Sequence, residues 1–259
     1  MEERRRVALV TGAGSGIGHA IARALAEDNH HVVVHDITLE RTADTVAQIQ
    51  GAGGVADAVA GDVTDPDAIR AAVETVIERH GRVDVLVNNA GVQFVSPLDE
   101  YPLEQWNRLL AILLTAPFLF TQAVLPGMRA AGWGRIVNIS SINGKRGDPG
   151  KAAYCSAKHG VIGLTRTAAL EAGADGITVN AVCPGFVDTP LTQGQLADLS
   201  RIHGIPEERV VEEFFLPRMP TKRPVERSEV AALVAFLASD AAASITGQAI
   251  NVDGGTVMA

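Results

Sequence analysis

The sequence predicts an α/β protein: one doubly wound parallel sheet of about seven strands with helices on both faces. Three observations carry that reading. The β-branched runs Val32-Val33-Val34 and Val83-Asp84-Val85-Leu86-Val87 lack clean polar–apolar alternation, as strands covered on both faces should. Amphipathic stretches of helical period separate such runs almost throughout, which implies right-handed β-α-β units. The chain has 259 residues, 47% of them hydrophobic and 20% charged, a composition that excludes disordered and fibrous classes. No composition shift marks a linker, so residues 1–259 read as a single domain.

The elements follow in order. Val7-Ala8-Leu9-Val10 begins a strand over 7–11, and a helix over 16–28 follows a glycine-rich loop. Strands over 32–36 and 55–60 alternate with helices over 40–52 and 66–80. A strand over 83–87 precedes a long helix over 103–130. A strand over 134–140 leads to a helix over 154–173, then a strand over 177–183, a helix over 226–239 and a last strand over 248–252. One segment breaks this rhythm. Residues 186–225 carry Pro190, Pro206, Pro217, Pro220 and Pro224, with apolar Leu196, Leu199, Ile202, Val210, Val211, Phe214 and Phe215 between them. So long an excursion is usually functional, and its apolar residues predict short helices forming a lid over a site.

Charge and composition narrow the function classes. The net charge of −8 argues against nucleic-acid binding. Arg4-Arg5-Arg6 reads as a solvated tail. The apolar stretch Leu109–Phe120 follows Arg108 and contains Thr115 and Pro117; it is too short for a span of ~20 residues, so it predicts a buried helix and no membrane association. Two cysteines, Cys155 and Cys183, are too few for a disulfide framework and suit a reducing cytoplasm. No signal peptide is expected, and no metal-ligand spacing stands out.

The first loop, Thr11-Gly12-Ala13-Gly14-Ser15-Gly16-Ile17-Gly18, lies between a strand and a helix. A pyrophosphate sits well on a helix N-terminus, where free N–H groups and the dipole favour negative charge, and glycine lets the backbone come close. In that context the loop predicts a dinucleotide site of the Rossmann type. Asp36, closing the second strand, is placed to accept hydrogen bonds from a ribose 2′-hydroxyl and to repel a 2′-phosphate, and neither Ile37 nor Thr38 offsets it. NAD is therefore expected rather than NADP. Tyr154 and Lys158 share one helix face at i and i+4. A phenol near pKa ~10 needs ~4 kcal/mol of help to act as acid/base near pH 7, and the adjacent ammonium together with a nicotinamide could supply it. Ser141 ends a strand at the edge where such sheets bind ligands.

These pieces together resemble the classical short-chain dehydrogenases/reductases over essentially the whole chain. The resemblance rests on the 11–18 loop, Asp62-Val63, Asn88-Asn89-Ala90-Gly91, Ser141, the Tyr154/Lys158 pair, Pro184-Gly185 and Val252-Asp253-Gly254-Gly255. It implies that Gly12, Ser15, Gly16, Ile17 and Gly18 cradle the cofactor. Asp62 and Val63 would hold its adenine, with Asn89, Ala90 and Gly91 beside the ribose. Pro184, Gly185, Val187 and Thr189 would lie at the nicotinamide end. Tyr154 would be the acid/base, Lys158 would bind the nicotinamide ribose and lower the phenol's pKa, and Ser141 would polarise the substrate oxygen.

Within that family the chain is similar to the D-3-hydroxybutyrate dehydrogenase group, through Gly91-Val92-Gln93, Gly150–Tyr154, Ala157–Val161, Cys183–Leu191 and Gln195. The likeness implies reversible oxidation of a short 3-hydroxy acid, as in ketone-body metabolism. Gln93, Asn143, Lys151 and Gln195 would grip the carboxylate, and Phe186 would line the pocket. A cation at Lys151 suits a small anion on charge alone. The chain departs from the pattern at Asn143, where many members carry His, at Phe186, where many carry Trp, and at Leu113, where the wider family has Asn. The alternatives are a 3-oxoacyl-thioester reductase, a sugar or alcohol dehydrogenase, and a non-catalytic NAD-binding sensor. The family's use of two apolar helices implies a homotetramer through helices 103–130 and 154–173.

Overall fold

The computed structural model describes residues 5–258. In chain order the elements are β1 (Val7–Thr11), α1 (Gly16–Glu27), β2 (His31–Asp36), α2 (Leu39–Gly51), β3 (Val55–Ala60), α3 (Pro66–His80) and β4 (Val85–Asn88). Next come α4 (Leu103–Leu110), a π-helical turn (Ala111–Thr115), α5 (Ala116–Ala131), β5 (Gly134–Ile139), α6 (Ala152–Ala172) and β6 (Ile177–Pro184). The chain ends with α7 (Pro190–Gln193), α8 (Leu196–His203), α9 (Arg227–Ala238) and β7 (Ala249–Val252). The seven strands form one sheet in the order β3-β2-β1-β4-β5-β6-β7, every pair parallel. The order reverses between β1 and β4, which opens a crevice at the carboxyl ends of those strands.

Alternate residues of each strand feed opposite cores, which is why the strands read as unbroken apolar runs. Val10, Val34, Val87 and Val137 pack with Ile21 and Leu25 of α1 and Val234 of α9. Leu9, Val33, Leu86 and Ile136 pack on the other face with Ile69 and Val73 of α3 and with Phe120, Val124 and Met128 of α5. Each such side chain contributes ~1.5–3 kcal/mol of burial.

The structure corrects three local expectations. The fourth strand begins at Val85 rather than Val83; the buried Asp84 leads into it, its backbone bonded to the Val7 carbonyl and the Arg135 amide, while its side chain accepts from the Val7 amide (2.8 Å) and pairs with Arg82. Arg6 is no solvated tail: its guanidinium binds both carboxylate oxygens of Asp240 (2.9 and 3.0 Å) and lies 3.9 Å from the Trp133 ring centroid. Arg4 falls outside the described residues. The long helix falls where it was expected, over 103–130, but its apolar part is not confined to the short stretch Leu109–Phe120. Leu103–Ala131 runs as one helical rod whose most apolar 18-residue stretch has a mean hydropathy of 1.9, long and apolar enough by length and composition to cross a membrane. Its inner side is nonetheless spent on the fold, with Leu109, Leu113, Phe120, Val124 and Met128 all buried.

Between β6 and α9 the chain makes α7, α8 and several short turns. Leu199, Val210 and Phe214 form a small core of their own there. A parallel bridge between Val187 and Val225 closes the base of the excursion.

Candidate active site

A cavity of about 570 Å³ follows the carboxyl ends of the strands across the crevice. Gly12, Ser15, Gly16 and Ile17 line one end. Asp36, Asp62 and Val63 line the next stretch, and Asn89, Ala90 and Gly91 the middle. Pro184, Gly185, Val187 and Thr189 lie at the far end with Ser141, Tyr154 and Lys158. The backbone there is built for close approach. Gly12 has φ +62°, and a Cβ on it would lie 2.7 Å from the Ala90 Cα. A Cβ on Gly14 would lie 2.4 Å from the Arg41 carbonyl oxygen. Ser15 caps α1 without a side-chain bond, and no acidic residue occupies the first turn, so nothing negative competes for the helix N-terminus. A dinucleotide fits this cradle.

Gly18 is the exception among the predicted cofactor residues, for it does not line the cavity. A Cβ there would lie 2.4 Å from both Asn89 Nδ2 and the Gly12 carbonyl oxygen, so its smallness lets the start of α1 fold tightly onto its own loop and Asn89. Asn89 itself is bound into the loop, donating from Nδ2 to the carbonyls of Thr11 (2.9 Å) and Gly12 (3.0 Å).

Asp36 is held by three donors: the Gly14 amide (3.1 Å), the Ile37 amide (2.9 Å) and Arg41 Nε (2.8 Å). Sequence reasoning missed Arg41. Ile37 and Thr38, next to Asp36, carry no charge, whereas the first turn of α2 brings Arg41 back onto the carboxylate and into the cavity wall.

At the far end α6 presents Tyr154 and Lys158 on one face. Lys158 is buried, donates from Nζ to the Ile139 carbonyl (2.6 Å) and lies 5.6 Å from the Tyr154 ring centroid. The expected lowering of the phenol's pKa is not what the protein's own groups produce. Burial pushes Tyr154 up to about 12, and the Ser141 hydroxyl pulls it only partly back. Burial likewise pushes Lys158 down to about 8. Both shifts have one cause: burial disfavours phenolate and ammonium alike.

Leu113 sits inside the π-helical turn, buried against Ala153 and Ala157 beside Tyr154. Its side chain offers no hydrogen bond. Pro117, just beyond the turn, has no amide hydrogen to give to the helix ladder.

A second cavity, of about 90 Å³, opens beside Ser141 and Tyr154. Gln93, Asn143, Lys151, Phe186 and Gln195 all line it, as the sequence predicted, and Phe186 stacks on Phe215 with centroids 4.1 Å apart. Their pairing differs from expectation. Lys151 Nζ is ion-paired with Asp148 (2.7 Å), and Asn143 Nδ2 donates to the same carboxylate (3.2 Å). Gln195 donates from Nε2 to the Leu191 carbonyl (2.9 Å), and Gln93 Oε1 accepts from the Phe94 amide (3.1 Å). Arg146, Asp148 and Arg218 also line the cavity and were not foreseen. Arg146-Gly147-Asp148 lies in the loop between Ser141 and Tyr154 that already drew attention to Lys151, and its charges were the available signal.

A Rossmann-type sheet with a serine, tyrosine and lysine at the end of its cofactor crevice defines a class, and the chain belongs to it: the short chain dehydrogenase family, whose model matches residues 6–200. Among its relatives, D-beta-hydroxybutyrate dehydrogenase of Rhizobium meliloti is 43% identical, with 96% of this chain and 98% of that protein covered. The 3-oxoacyl-[acyl-carrier-protein] reductase of Thermotoga maritima is 40% identical, with 98% of each covered. A crystal structure of an actinorhodin polyketide ketoreductase variant with NADPH superposes with a TM-score of 0.95 at 42% identity, covering 99% of both chains. The protein is thus a short-chain oxidoreductase of the NAD(P) type.

Proposed function

We propose that this enzyme is an NAD-dependent dehydrogenase that oxidises D-3-hydroxybutyrate, or a closely related short 3-hydroxy acid, reversibly to the 3-oxo acid. One observation carries the reading: the small cavity beside Ser141 and Tyr154 is lined by the amides of Gln93 and Gln195 and by three cations, Lys151, Arg146 and Arg218, against one carboxylate, Asp148, a lining suited to an anion a few atoms from the reacting carbon. NAD is preferred because Asp36 is fixed by three donors where a 2′-phosphate would meet its charge.

In this mechanism Ser141 donates to the substrate oxygen and fixes it against the phenol. Tyr154, as the phenolate, takes the hydroxyl proton to become the neutral phenol, and as the phenol returns it in the reverse direction. Lys158, cationic at neutral pH, holds the ribose side of the site and stabilises the phenolate as it forms. A nicotinamide held by Lys158, Thr189 and Val187 would supply a hydride acceptor for carbon 3 and, in its oxidised form, the positive charge that a phenol at about 12 requires. Gln93 and Gln195 orient the carboxylate end, and the 186–225 segment covers it from water.

A coupled assay on both enantiomers of 3-hydroxybutyrate, with NAD and with NADP, tests this. NADH formation from the D enantiomer supports it. Inactivity on both enantiomers, with NADPH consumed on a 3-oxoacyl thioester, would replace it by the reductase reading. That second reading is favoured by Arg41, a cation beside Asp36 in the cofactor cavity.

A further inference from the structure

Lys151 and Asn143, two of the side chains expected to grip a substrate carboxylate, already hold one. The Asp148 carboxylate takes an ion pair from Lys151 at 2.7 Å and a hydrogen bond from Asn143 at 3.2 Å. Lys151 is also only 5% exposed. Its charge is therefore largely cancelled locally, and an incoming anion would have to compete with a carboxylate fixed in place. The same cavity wall carries a second cation. Arg146 is half-buried, its Nε is shielded from solvent, and that Nε has no hydrogen-bond partner among the described residues. A shielded guanidinium N–H without an acceptor is costly to leave unmade. It presents a planar fork that matches a carboxylate, which an ammonium does not. Arg218, the third cation of the wall, is exposed. It is occupied by the Phe214 carbonyl and by the Phe214 ring, 3.9 Å from its guanidinium carbon.

We infer that Arg146 is the specificity-determining cation of the substrate cavity, binding the carboxylate of the substrate, while Asp148 holds Lys151 and Asn143 in reserve and weakens their pull on that anion. The inference rests on the hydroxy-acid reading of the site and refines it. Substrates with a free carboxylate are selected over their neutral esters through Arg146. Asp148 sets how tightly they are held.

The test compares Arg146→Gln, Arg146→Lys and Asp148→Asn with the parent enzyme. Kinetics are measured on 3-hydroxybutyrate and its ethyl ester, and calorimetry with butyrate on the NAD-loaded protein. In Arg146→Gln, KM for the acid should rise about 10- to 100-fold, the loss expected for one charge-assisted hydrogen bond. The kcat should hold, and the ester should be unaffected. Arg146→Lys should recover part of the loss, which a merely structural role would not give. Asp148→Asn should lower KM for the acid by freeing Lys151. An unchanged acid-to-ester preference in Arg146→Gln, with butyrate bound as tightly as by the parent, overturns the inference and leaves the hydroxy-acid reading standing. A parent enzyme that turns over neither substrate overturns that reading instead, and the butyrate titration still decides whether Arg146 is the anion's cation.

Discussion

At the residue scale, Tyr154 shows how tertiary context overrules local pattern. The i, i+4 spacing with Lys158 is visible in the sequence, and it suggests an acidified phenol. Burial outweighs that proximity and leaves the phenol at about 12. Lys158 at about 8 stays mostly charged at neutral pH. Below its pKa the fraction of phenolate rises tenfold per pH unit while the phenol fraction stays near one, so initial rates of oxidation should climb between about pH 6 and 9 while rates of reduction stay level. A flat profile in both directions would remove Tyr154 from the chemistry. Asp36 offers a second test, because its charge decides against a 2′-phosphate while Arg41 leans the other way. Asp36→Ala should shift the NAD-to-NADP ratio of kcat/KM toward NADP by at least tenfold, and adding Arg41→Ala should take back part of that shift. Neither Arg41 on Asp36 nor Lys151 on Asp148 could be read from the sequence. Each pair depends on how a turn or loop folds back, whereas the glycine loop and the Ser141, Tyr154 and Lys158 set depend only on which residue stands at which strand end or helix face.

At the element scale, strands and helices were legible to within a few residues, because β1, β2 and β4 are buried on both faces and advertise it as unbroken apolar runs. The π-helical turn at Ala111–Thr115 was not legible, since Ala-Ile-Leu-Leu-Thr suits an ordinary helix equally well. It matters for Leu113, whose side chain packs where the family has an amide. Leu113→Asn should lower stability by about 1–3 kcal/mol, because it buries an amide against Ala153 and Ala157. It should change kcat less than threefold if the backbone carbonyl suffices. A gain above tenfold would mean that the amide is missed. The 186–225 excursion holds α7, α8 and a small separate core around Leu199 and Phe214, tied at its base by Val187 and Val225. A small core of this kind opens more easily than the main sheet. Hydrogen exchange over 190–216 should slow when NAD and substrate are added, and identical exchange with and without them would rule out a lid.

At the scale of the whole molecule, apolar residues left on the outer faces of three helices suggest how copies meet. Leu103 on α4, Phe118 on α5 and Leu170 on α6 are 71%, 45% and 86% exposed, and they support the proposed homotetramer through helices 103–130 and 154–173. Light scattering should give four times the chain mass; a monomer would contradict it. Stability should also depend on acid. His35 is buried against Phe120 with neither ring nitrogen bonded among the described residues, and burial lowers its pKa to about 4. The folded state thus refuses a proton that the unfolded chain accepts near 6.5. The resulting stability is present above that value and is lost as pH falls toward about 4, by up to ~3 kcal/mol. Urea titrations of His35→Asn should show a shallower loss over that window. The account as a whole turns on a tyrosine moving a proton beside a bound NAD, and the most direct check is NADH formation from D-3-hydroxybutyrate by the parent and by Tyr154→Phe, alongside NAD affinity for both. Turnover at least about a thousandfold lower in the variant with NAD bound equally well is the predicted result; turnover surviving at the parent's rate would contradict it.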